Sequence, residues 1–352
     1  MRKPTAVDLF AGAGGLSEGL RQAGYKVVGA VELDPHACAS YRLNHPRTSL
    51  WETDVTRVSG GTMMRALNLV PGKLDLLAAC PPCQGFSTMR TGNGTRWNRD
   101  SRNDLIFEVL RLVRSMKPVS VMIENVPGLA ANRRFGVFIK ALRTIGYFVT
   151  WDILNAADFG VPQNRRRLVL LASRRGKPAF ASSSPRNRTV RQFIGKLNSP
   201  VRSRDPLHNY VSAPRSPRIK KLIERIPHDG GSRRDLGKRS QLECHRDFTG
   251  FNDVYGRMAW DQVAPTITGG CINPSKGRFL HPRANRAITL REAALLQTFP
   301  KSYKFDLGRG LYAVALLIGN AFPPEFIRRH AAALKGLASS RTGALKDQAE
   351  AG

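Results

Sequence analysis

Short apolar runs alternate with helical segments throughout the first 172 residues. The run AVDLF precedes a glycine-rich stretch and a helical segment at 15–23, and KVVGAVE precedes a second helical segment at 35–43. LDLLAA, VSVMIEN, FVTWDIL and RLVLLA are later runs of the same type, with helical spacing between them at 105–116 and 135–145. Strands alternating with helices are typical of a mostly parallel sheet covered on both faces. The alternation therefore predicts an α/β, doubly wound fold.

The alternation stops after residue 172, where the chain becomes rich in Pro, Ser, Gly and Arg. We interpret residues 173–286 as a second, smaller and irregular domain, and residues 175–190 within it as either an ordered connection or a flexible linker. Helical periodicity returns with ITLREAALLQTFP and continues through helical segments at 312–318 and 324–337. We therefore expect one domain from 1–172 plus 287–338 and a flexible tail at 339–352.

The charge of the chain is unusual, because 56 Lys and Arg residues face only 26 acidic ones, giving a net charge of +30. A protein this basic usually binds a polyanion, most often nucleic acid, although a generally basic proteome would give the same signal. No apolar stretch is long enough for a signal peptide or a membrane span, and the five cysteines form no regular framework. These features predict a protein of a reducing, cytoplasmic compartment.

A glycine-rich turn, DLFAGAGG at 8–15, lies between the first strand and the first helix. Glycines in that place let the backbone turn tightly and approach a ligand. Glu32 follows Gly12 by twenty residues and ends the second strand, where an acid can accept hydrogen bonds from both ribose hydroxyls. Ser17 stands where the dinucleotide fingerprint has a third glycine or alanine. The pattern indicates an adenosine-type cofactor more than NAD, and a tight turn without a ligand is the alternative.

The motif PPCQGFS at 81–87 places Cys83 on a loop directly after the apolar run LDLLAA. Active sites of open α/β sheets lie at such strand ends, and a thiolate there is a good nucleophile when positive groups lower its pKa. Cys83 could instead be a small buried hydrophobe, or form a redox pair or half a zinc site with Cys80. The basic, glycine-containing stretch that follows is either a lid that closes on a polyanion or a solvated loop.

Two further motifs carry polar residues at strand ends. Glu124 follows the run VSVMI, and a carboxyl at the end of a buried strand can donate a proton near neutral pH. QNRRR at 163–167 precedes another strand, where alternation would send Arg165 and Arg167 to one side and Arg166 to the other. Three consecutive arginines are more often a phosphate-binding or solvated face than a catalytic group.

The order of these motifs resembles that of the DNA (cytosine-5)-methyltransferase family of bacterial restriction-modification systems. DLFAGAGG resembles the first cofactor motif, PPCQGFS the catalytic motif, ENV the motif of the proton-donating glutamate, and QNRRR the family's Gln-x-Arg-x-Arg. RAITLREAALLQTFP resembles the ninth motif, and GNAFPP the tenth, which usually reads GNAVPP. The resemblance covers about 1–172 and 286–335.

The resemblance implies that Cys83 attacks carbon 6 of cytosine and that Glu124 hydrogen-bonds or protonates ring nitrogen 3. Arg167 would contact the carbonyl oxygen at position 2, with support from Arg165. It also implies a Rossmann-like fold typical of S-adenosylmethionine-dependent methyltransferases and S-adenosyl-L-methionine as cofactor, with no metal. The cofactor-binding residues expected by resemblance are Phe10, Ala11, Gly12, Gly14, Gly15, Leu16, Glu32, Leu33, Asp54, Val55, Pro81, Asn320 and Ala321.

The resemblance also makes 173–286 a target-recognition domain for double-stranded DNA, from which the target base is flipped out. A bacterial member acts as a monomer near the nucleoid, in a system that can include a restriction endonuclease. The DNA-binding residues expected are Gln84, Ser87, Arg90, Gln163, Arg257, Thr266 and Thr268. The rival interpretations are a tRNA cytosine-5 methyltransferase, a dinucleotide-dependent oxidoreductase, and a non-catalytic DNA-binding protein on the same scaffold.

Overall fold

The computed structural model describes residues 2–82, 104–210, 215–237 and 253–347 of the chain. Contacts divide the chain into two units, the first made of 1–155, 166–183 and 322–352 and the second of 156–165 and 184–321. The second unit is larger than the domain predicted at 173–286, because buried groups tie the segment after 286 to residues before it. Arg291 forms an ion pair with Asp205, and the hydroxyl of Thr289 lies 2.7 Å from Nδ1 of His208. The assignment of 287–338 to the catalytic domain remains a prediction.

The first unit is built on a seven-stranded sheet with the order β3-β2-β1-β4-β5-β7-β6. β1 to β5 pair in parallel, whereas β7 is antiparallel to both β5 and β6, so the sheet is mostly parallel, as the alternation predicted. β5 is buried along all six residues, as expected for a strand covered on both faces. The strands are β1 (Thr5–Leu9), β2 (Lys26–Glu32), β3 (Ser49–Glu52), β4 (Leu76–Ala79), β5 (Ser120–Asn125), β6 (Phe148–Asn155) and β7 (Arg166–Ser173).

Side-chain oxygens cap the N-termini of several helices. Asp34 accepts a hydrogen bond from the backbone of His36 at the start of α2, and Asn132 caps α5 in the same way. The helices are α1 (Gly15–Gln22), α2 (Pro35–Asn44), α3 (Gly60–Ala66), α4 (Leu105–Met116), α5 (Arg133–Thr144), α6 (Val190–Ile194), α7 (Pro217–Arg225), α8 (Leu290–Leu296), α9 (Leu311–Asn320) and α10 (Pro324–Asp347). The described helices contain no segment long and apolar enough to cross a membrane.

The helix α10 belongs to the first unit and packs against α1. A Cβ atom added at Gly19 of α1 would lie 2.5 Å from both the Cβ of Ile327 and the carbonyl oxygen of Pro324, so the two helices touch closely only because residue 19 is glycine. α10 continues to Asp347, past the point where the flexible tail was predicted to begin, because its Ala-, Leu- and Lys-containing sequence favours helix.

The connection at 174–189 contains no helix or strand, yet part of it packs against the first unit. The ring of Phe180 meets His330 of α10 edge-on at 5.8 Å between centroids, and the hydroxyl of Thr150 donates to the carbonyl of Pro178.

The described residues of the second unit form short helices and isolated bridges in place of a sheet. Arg257 belongs to this unit and is fully buried. Its guanidinium donates to the carbonyls of Ile223, Ile226, His281 and Ala284 and to the side chain of Asn285. A guanidinium whose donors are used inside the protein is not available to DNA, so Arg257 is a structural residue here and the prediction that it binds DNA does not fit its surroundings.

Candidate functional site

The glycine-rich turn follows β1 and leads directly into α1. Phe10, Gly12 and Gly14 have positive φ values of 61°, 55° and 92°, a conformation that glycine adopts without strain and that phenylalanine rarely adopts. The backbone N–H of Gly12 donates to Oε2 of Glu32 at 2.7 Å. The other carboxylate oxygen of Glu32 accepts from the backbone N–H groups of Leu33 and Asp34, each at 2.8 Å. Glu32 therefore ties the turn to the end of β2.

The predicted cofactor residues of the first unit gather at one edge of the sheet. β1 to β4 run parallel, so their carboxyl ends lie at the same edge of the sheet. This edge carries the turn after β1, Glu32 at the end of β2, Asp54 after β3 and Pro81 after β4. Oδ1 of Asp54 accepts hydrogen bonds from the backbone and hydroxyl of Thr56, which lower the pKa of Asp54.

The exposure of these residues indicates how each could meet a ligand. Leu33 is 63% exposed and offers an apolar side chain beside Glu32, whereas the side chains of Ala11, Leu16 and Val55 are buried, so only their backbone could take part. A Cβ added at Gly12 would meet nothing within 4 Å, which leaves open space beside the turn. A carboxylate for ribose hydroxyls, an exposed apolar side chain and open space beside Gly12 together fit an adenosine-type cofactor.

A buried polar chain lies beneath the turn. The hydroxyl of Ser17 donates to Oδ2 of Asp8 at 2.6 Å and lies 2.8 Å from the hydroxyl of Tyr41, and all three side chains are fully buried. Oδ1 of Asp8 has no hydrogen-bond partner among the described residues. Burial, reinforced by the charge of Glu32, raises the pKa of Asp8 to about 7.

We expect Asp8→Asn to flatten the pH dependence of stability. Between the ordinary aspartate pKa of about 4 and the folded value of about 7, the folded chain keeps a proton that the unfolded chain has lost. The free energy of unfolding of the native protein should therefore fall as pH rises through this window and level off above it. The measurement is urea unfolding of both proteins from pH 4 to 8, in which Asp8→Asn gains, relative to the native protein, on the order of a few kcal/mol. Parallel curves for the two proteins would contradict the assignment.

Asn125, at the end of β5, holds the chain that leads to Cys83. Its side-chain amide donates to the carbonyl of Pro81 at 3.1 Å, and its oxygen accepts from the backbone of Val126. Sequence reasoning missed this residue, although its place directly after Glu124 was the available signal. Cys83 itself, with Gln84, Ser87 and Arg90, lies outside the described residues.

Glu124 and Arg167 form a partly buried ion pair in the first unit. Nε of Arg167 lies 3.0 Å from Oε1 of Glu124, with only 18% and 11% of the two side chains exposed. β5 and β7 run antiparallel, with Glu124 paired with Val169, so the end of β5 meets the start of β7. Arg166, the neighbour of Arg167, is exposed, which agrees with the predicted alternation. The pair therefore places a carboxylate and a guanidinium at the end of β5, the strand on which Asn125 donates a hydrogen bond to the carbonyl of Pro81.

The remaining predicted residues lie in the second unit. Arg165 is buried, and its Nη1 donates to the carbonyls of Ile267 and Gly319. Gln163 is also fully buried and hydrogen-bonded within the unit, so the prediction that it binds DNA does not fit its position. Thr266, Thr268 and Ala321 are half-exposed, and Asn320 is exposed.

Comparison with known proteins places this geometry among methyltransferases. A family model described as C-5 cytosine-specific DNA methylase matches residues 5–336. Type II methylase M.HgiDII of Herpetosiphon aurantiacus is 39% identical over 349 residues, covering 94% of each chain. Type II methyltransferase M.XorII of Xanthomonas oryzae pv. oryzae is 34% identical over 361 residues, covering 93% of this chain and 84% of the relative.

Solved structures share the fold. A protein encoded within an E. coli prophage superimposes with a TM-score of 0.69 at 25% identity, covering 95% of this chain and 99% of the other. The S. pombe Dnmt2 methyltransferase superimposes with a TM-score of 0.66 at 17% identity, covering 96% and 100%. These matches confirm the Rossmann-like methyltransferase fold predicted from the sequence.

Proposed function

The chain belongs to the C-5 cytosine-specific DNA methylase family and is a DNA cytosine-5 methyltransferase of the restriction-modification type. We propose that it takes the methyl group from S-adenosylmethionine and that Cys83 forms a covalent bond to a flipped-out cytosine during the reaction. The observation that carries the proposal is the Glu124–Arg167 pair, 3.0 Å apart, on the strand end where Asn125 holds Pro81, two residues before Cys83.

In this proposal the carboxyl edge of the sheet holds the cofactor. Glu32 would accept hydrogen bonds from the ribose hydroxyls, because its carboxylate is already oriented by the backbone of Gly12 and Leu33. Leu33 would cover one face of the adenine, and Asp54 would accept a hydrogen bond from the ring. The family resemblance also assigns Asn320 and Ala321 to the cofactor. When bound, S-adenosylmethionine supplies an electrophilic methyl group.

The base chemistry is assigned to three side chains. The thiolate of Cys83 would form a bond to carbon 6 of cytosine, which pushes the electrons of the 5,6 double bond toward carbon 5. Glu124 would donate a proton or a hydrogen bond to ring nitrogen 3, and Arg167 a hydrogen bond to the oxygen at position 2, so that the developing negative charge is stabilised. Carbon 5 would take the methyl group as the bond from that group to the cofactor's sulfur breaks and leaves a thioether. Carbon 5 would then lose its proton to a base, and the electrons of that bond would re-form the 5,6 double bond as the bond between carbon 6 and Cys83 breaks.

The target base must leave the duplex for this chemistry, at a cost of about a few kcal/mol. Thr266 and Thr268 are half-exposed and flank the buried Ile267, and we assign both to contacts with DNA. We further propose that the protein acts as a monomer, in a system that can include a restriction endonuclease.

The direct experiment is bisulfite sequencing of plasmid DNA and of tRNA, each incubated with the purified protein and S-adenosylmethionine. We expect one short sequence context to become protected in DNA and none in tRNA. Protection in tRNA alone would show that the substrate is tRNA and not DNA. As a control, omission of S-adenosylmethionine should abolish protection in both nucleic acids.

Because the net charge is +30, we expect the affinity for DNA to depend steeply on salt concentration. If six to ten phosphates are contacted, affinity for duplex DNA should fall by about 10³-fold or more between 50 and 200 mM salt, because bound counterions are released from the DNA. Titrations of labelled duplex at several salt concentrations measure the slope, and binding of S-adenosylhomocysteine is the control that should change little. A flat dependence for DNA would contradict the role given to the basic surface.

A further inference from the structure

Two buried glutamines form a continuous hydrogen-bonded chain inside the second unit. Oε1 of Gln163 accepts the backbone N–H of Ile267 at 2.9 Å, and Nε2 of Gln163 donates to Oε1 of Gln297 at 2.9 Å. Nε2 of Gln297 then donates to the carbonyls of Ile318 at 2.7 Å and Ala321 at 3.2 Å. Both glutamines are 0% exposed. The chain therefore runs without interruption from the segment at 266–268 to the segment at 318–321.

Two other contacts connect the same segments. Nη1 of Arg165 donates at 3.1 Å to the carbonyl of Ile267 and at 3.1 Å to that of Gly319. A Cβ added at Gly319 would lie 2.2 Å from the backbone nitrogen of Gly269 and the carbonyl carbon of Thr268, so the two backbones are in direct contact. Because the amide chain is buried, breaking any of its hydrogen bonds would leave polar groups unpaired, which resists movement of one segment without the other.

We propose that Gln163 and Gln297 are positioning residues that couple target recognition to cofactor binding. This inference rests on the proposed function, which gives Thr266 and Thr268 to DNA and Asn320 and Ala321 to the cofactor. DNA would favour one conformation of the segment at 266–268, and the cofactor would favour one conformation of the segment at 318–321. Because the chain of buried glutamines connects the two segments, the conformation that binds one ligand also binds the other. Binding of either ligand should therefore increase affinity for the other by the same factor.

The variant that tests the coupling is Gln297→Met, which keeps an unbranched side chain of similar length and removes the amide. The matched control is His208→Leu in the same unit. His208 is buried, and its two ring nitrogens bond to the hydroxyl of Thr289 and the carbonyl of Asn198, so neither of these hydrogen bonds involves a coupled segment. Thermal unfolding of both variants measures how much stability each loses, which separates coupling from general damage.

The readout is the affinity for a duplex that contains the site found by bisulfite sequencing, with and without saturating S-adenosylhomocysteine. We expect the native protein to bind DNA about fivefold or more tightly with the nucleoside present. In Gln297→Met this factor should fall toward one, whereas in His208→Leu it should stay at the native value. The reciprocal titration, of S-adenosylhomocysteine with and without DNA, should give the same factor in each protein.

The inference fails if Gln297→Met keeps the native factor, if His208→Leu loses it to the same extent, or if the native protein shows no coupling. Gln163→Met interrupts the same chain from its other end and decides the question if Gln297→Met does not fold. A native protein that neither methylates DNA nor binds S-adenosylhomocysteine would overturn the proposed function instead.

Discussion

Replacing Cys83 with serine is expected to abolish methyl transfer to DNA, with a loss on the order of 10⁴-fold or more in kcat. A serine hydroxyl is not ionised at neutral pH and is a much weaker nucleophile than a thiolate, so the bond to carbon 6 would not form at a useful rate. Binding of duplex DNA and of S-adenosylhomocysteine should survive, because neither depends on that bond. Transfer of a tritiated methyl group to DNA measures the rate, and gel shift and calorimetry measure the two affinities.

Cys80 provides the matched control for this variant. It lies three residues earlier, is partly exposed, and donates its backbone N–H to the carbonyl of Leu9. Cys80→Ser should keep a rate within a fewfold of the native one. Full activity in Cys83→Ser would remove the covalent mechanism, and equal losses in both variants would favour a role that the two cysteines share.

Glu124→Gln is expected to lower kcat by about 10²- to 10⁴-fold, the usual contribution of a positioned acid or base. The amide keeps the shape of the carboxyl but has no ionisable proton to give to ring nitrogen 3. It also weakens the 3.0 Å contact with Arg167, so some stability will be lost with the charge. Comparing Glu124→Gln, Arg167→Ala and the double variant in a thermodynamic cycle separates the two effects.

The control for loss of an ion pair is Glu325→Gln. Glu325 bonds Arg328 and Arg329 on α10 of the same unit, and these bonds lower the pKa of Glu325. Its removal should reduce stability and leave the rate of the folded enzyme unchanged. A native rate in Glu124→Gln would exclude Glu124 from the chemistry, whatever its effect on unfolding.

Much of the first unit could be predicted from the sequence because its central strands β4 and β5 are buried on both faces and helices such as α1 and α4 are amphipathic. α4 has the bounds 105–116 that its periodicity indicated, and the bounds of α1 and α2 differ from prediction by one residue at the C-terminal end. The direction of β7 was not predicted, since an apolar run looks the same in parallel and antiparallel pairing. The division into units was also beyond sequence patterns, because it depends on long-range pairs such as Arg291 with Asp205.

The polar residues of the second unit show the limit more sharply. The family resemblance assigned Gln163 and Arg257 to DNA, yet both are fully buried, although polar and charged side chains are mostly exposed. The guanidinium of Arg257 is hydrogen-bonded to backbone carbonyls that lie more than twenty residues away along the chain. No local pattern records such partners, and for the same reason the role of Gln297 was not identified in advance.

The close contact at Gly19 has a consequence for biosynthesis. α1 is made early, but the surface that it buries against Ile327 is about 300 residues away along the chain. At about 5–20 residues per second, a ribosome needs roughly 15 to 60 seconds to cover that distance. Residues 184–321 are all translated before Ile327, so the second unit can fold while the first still lacks α10. The nascent chain therefore completes its first unit last, after the residues of the second unit have been made.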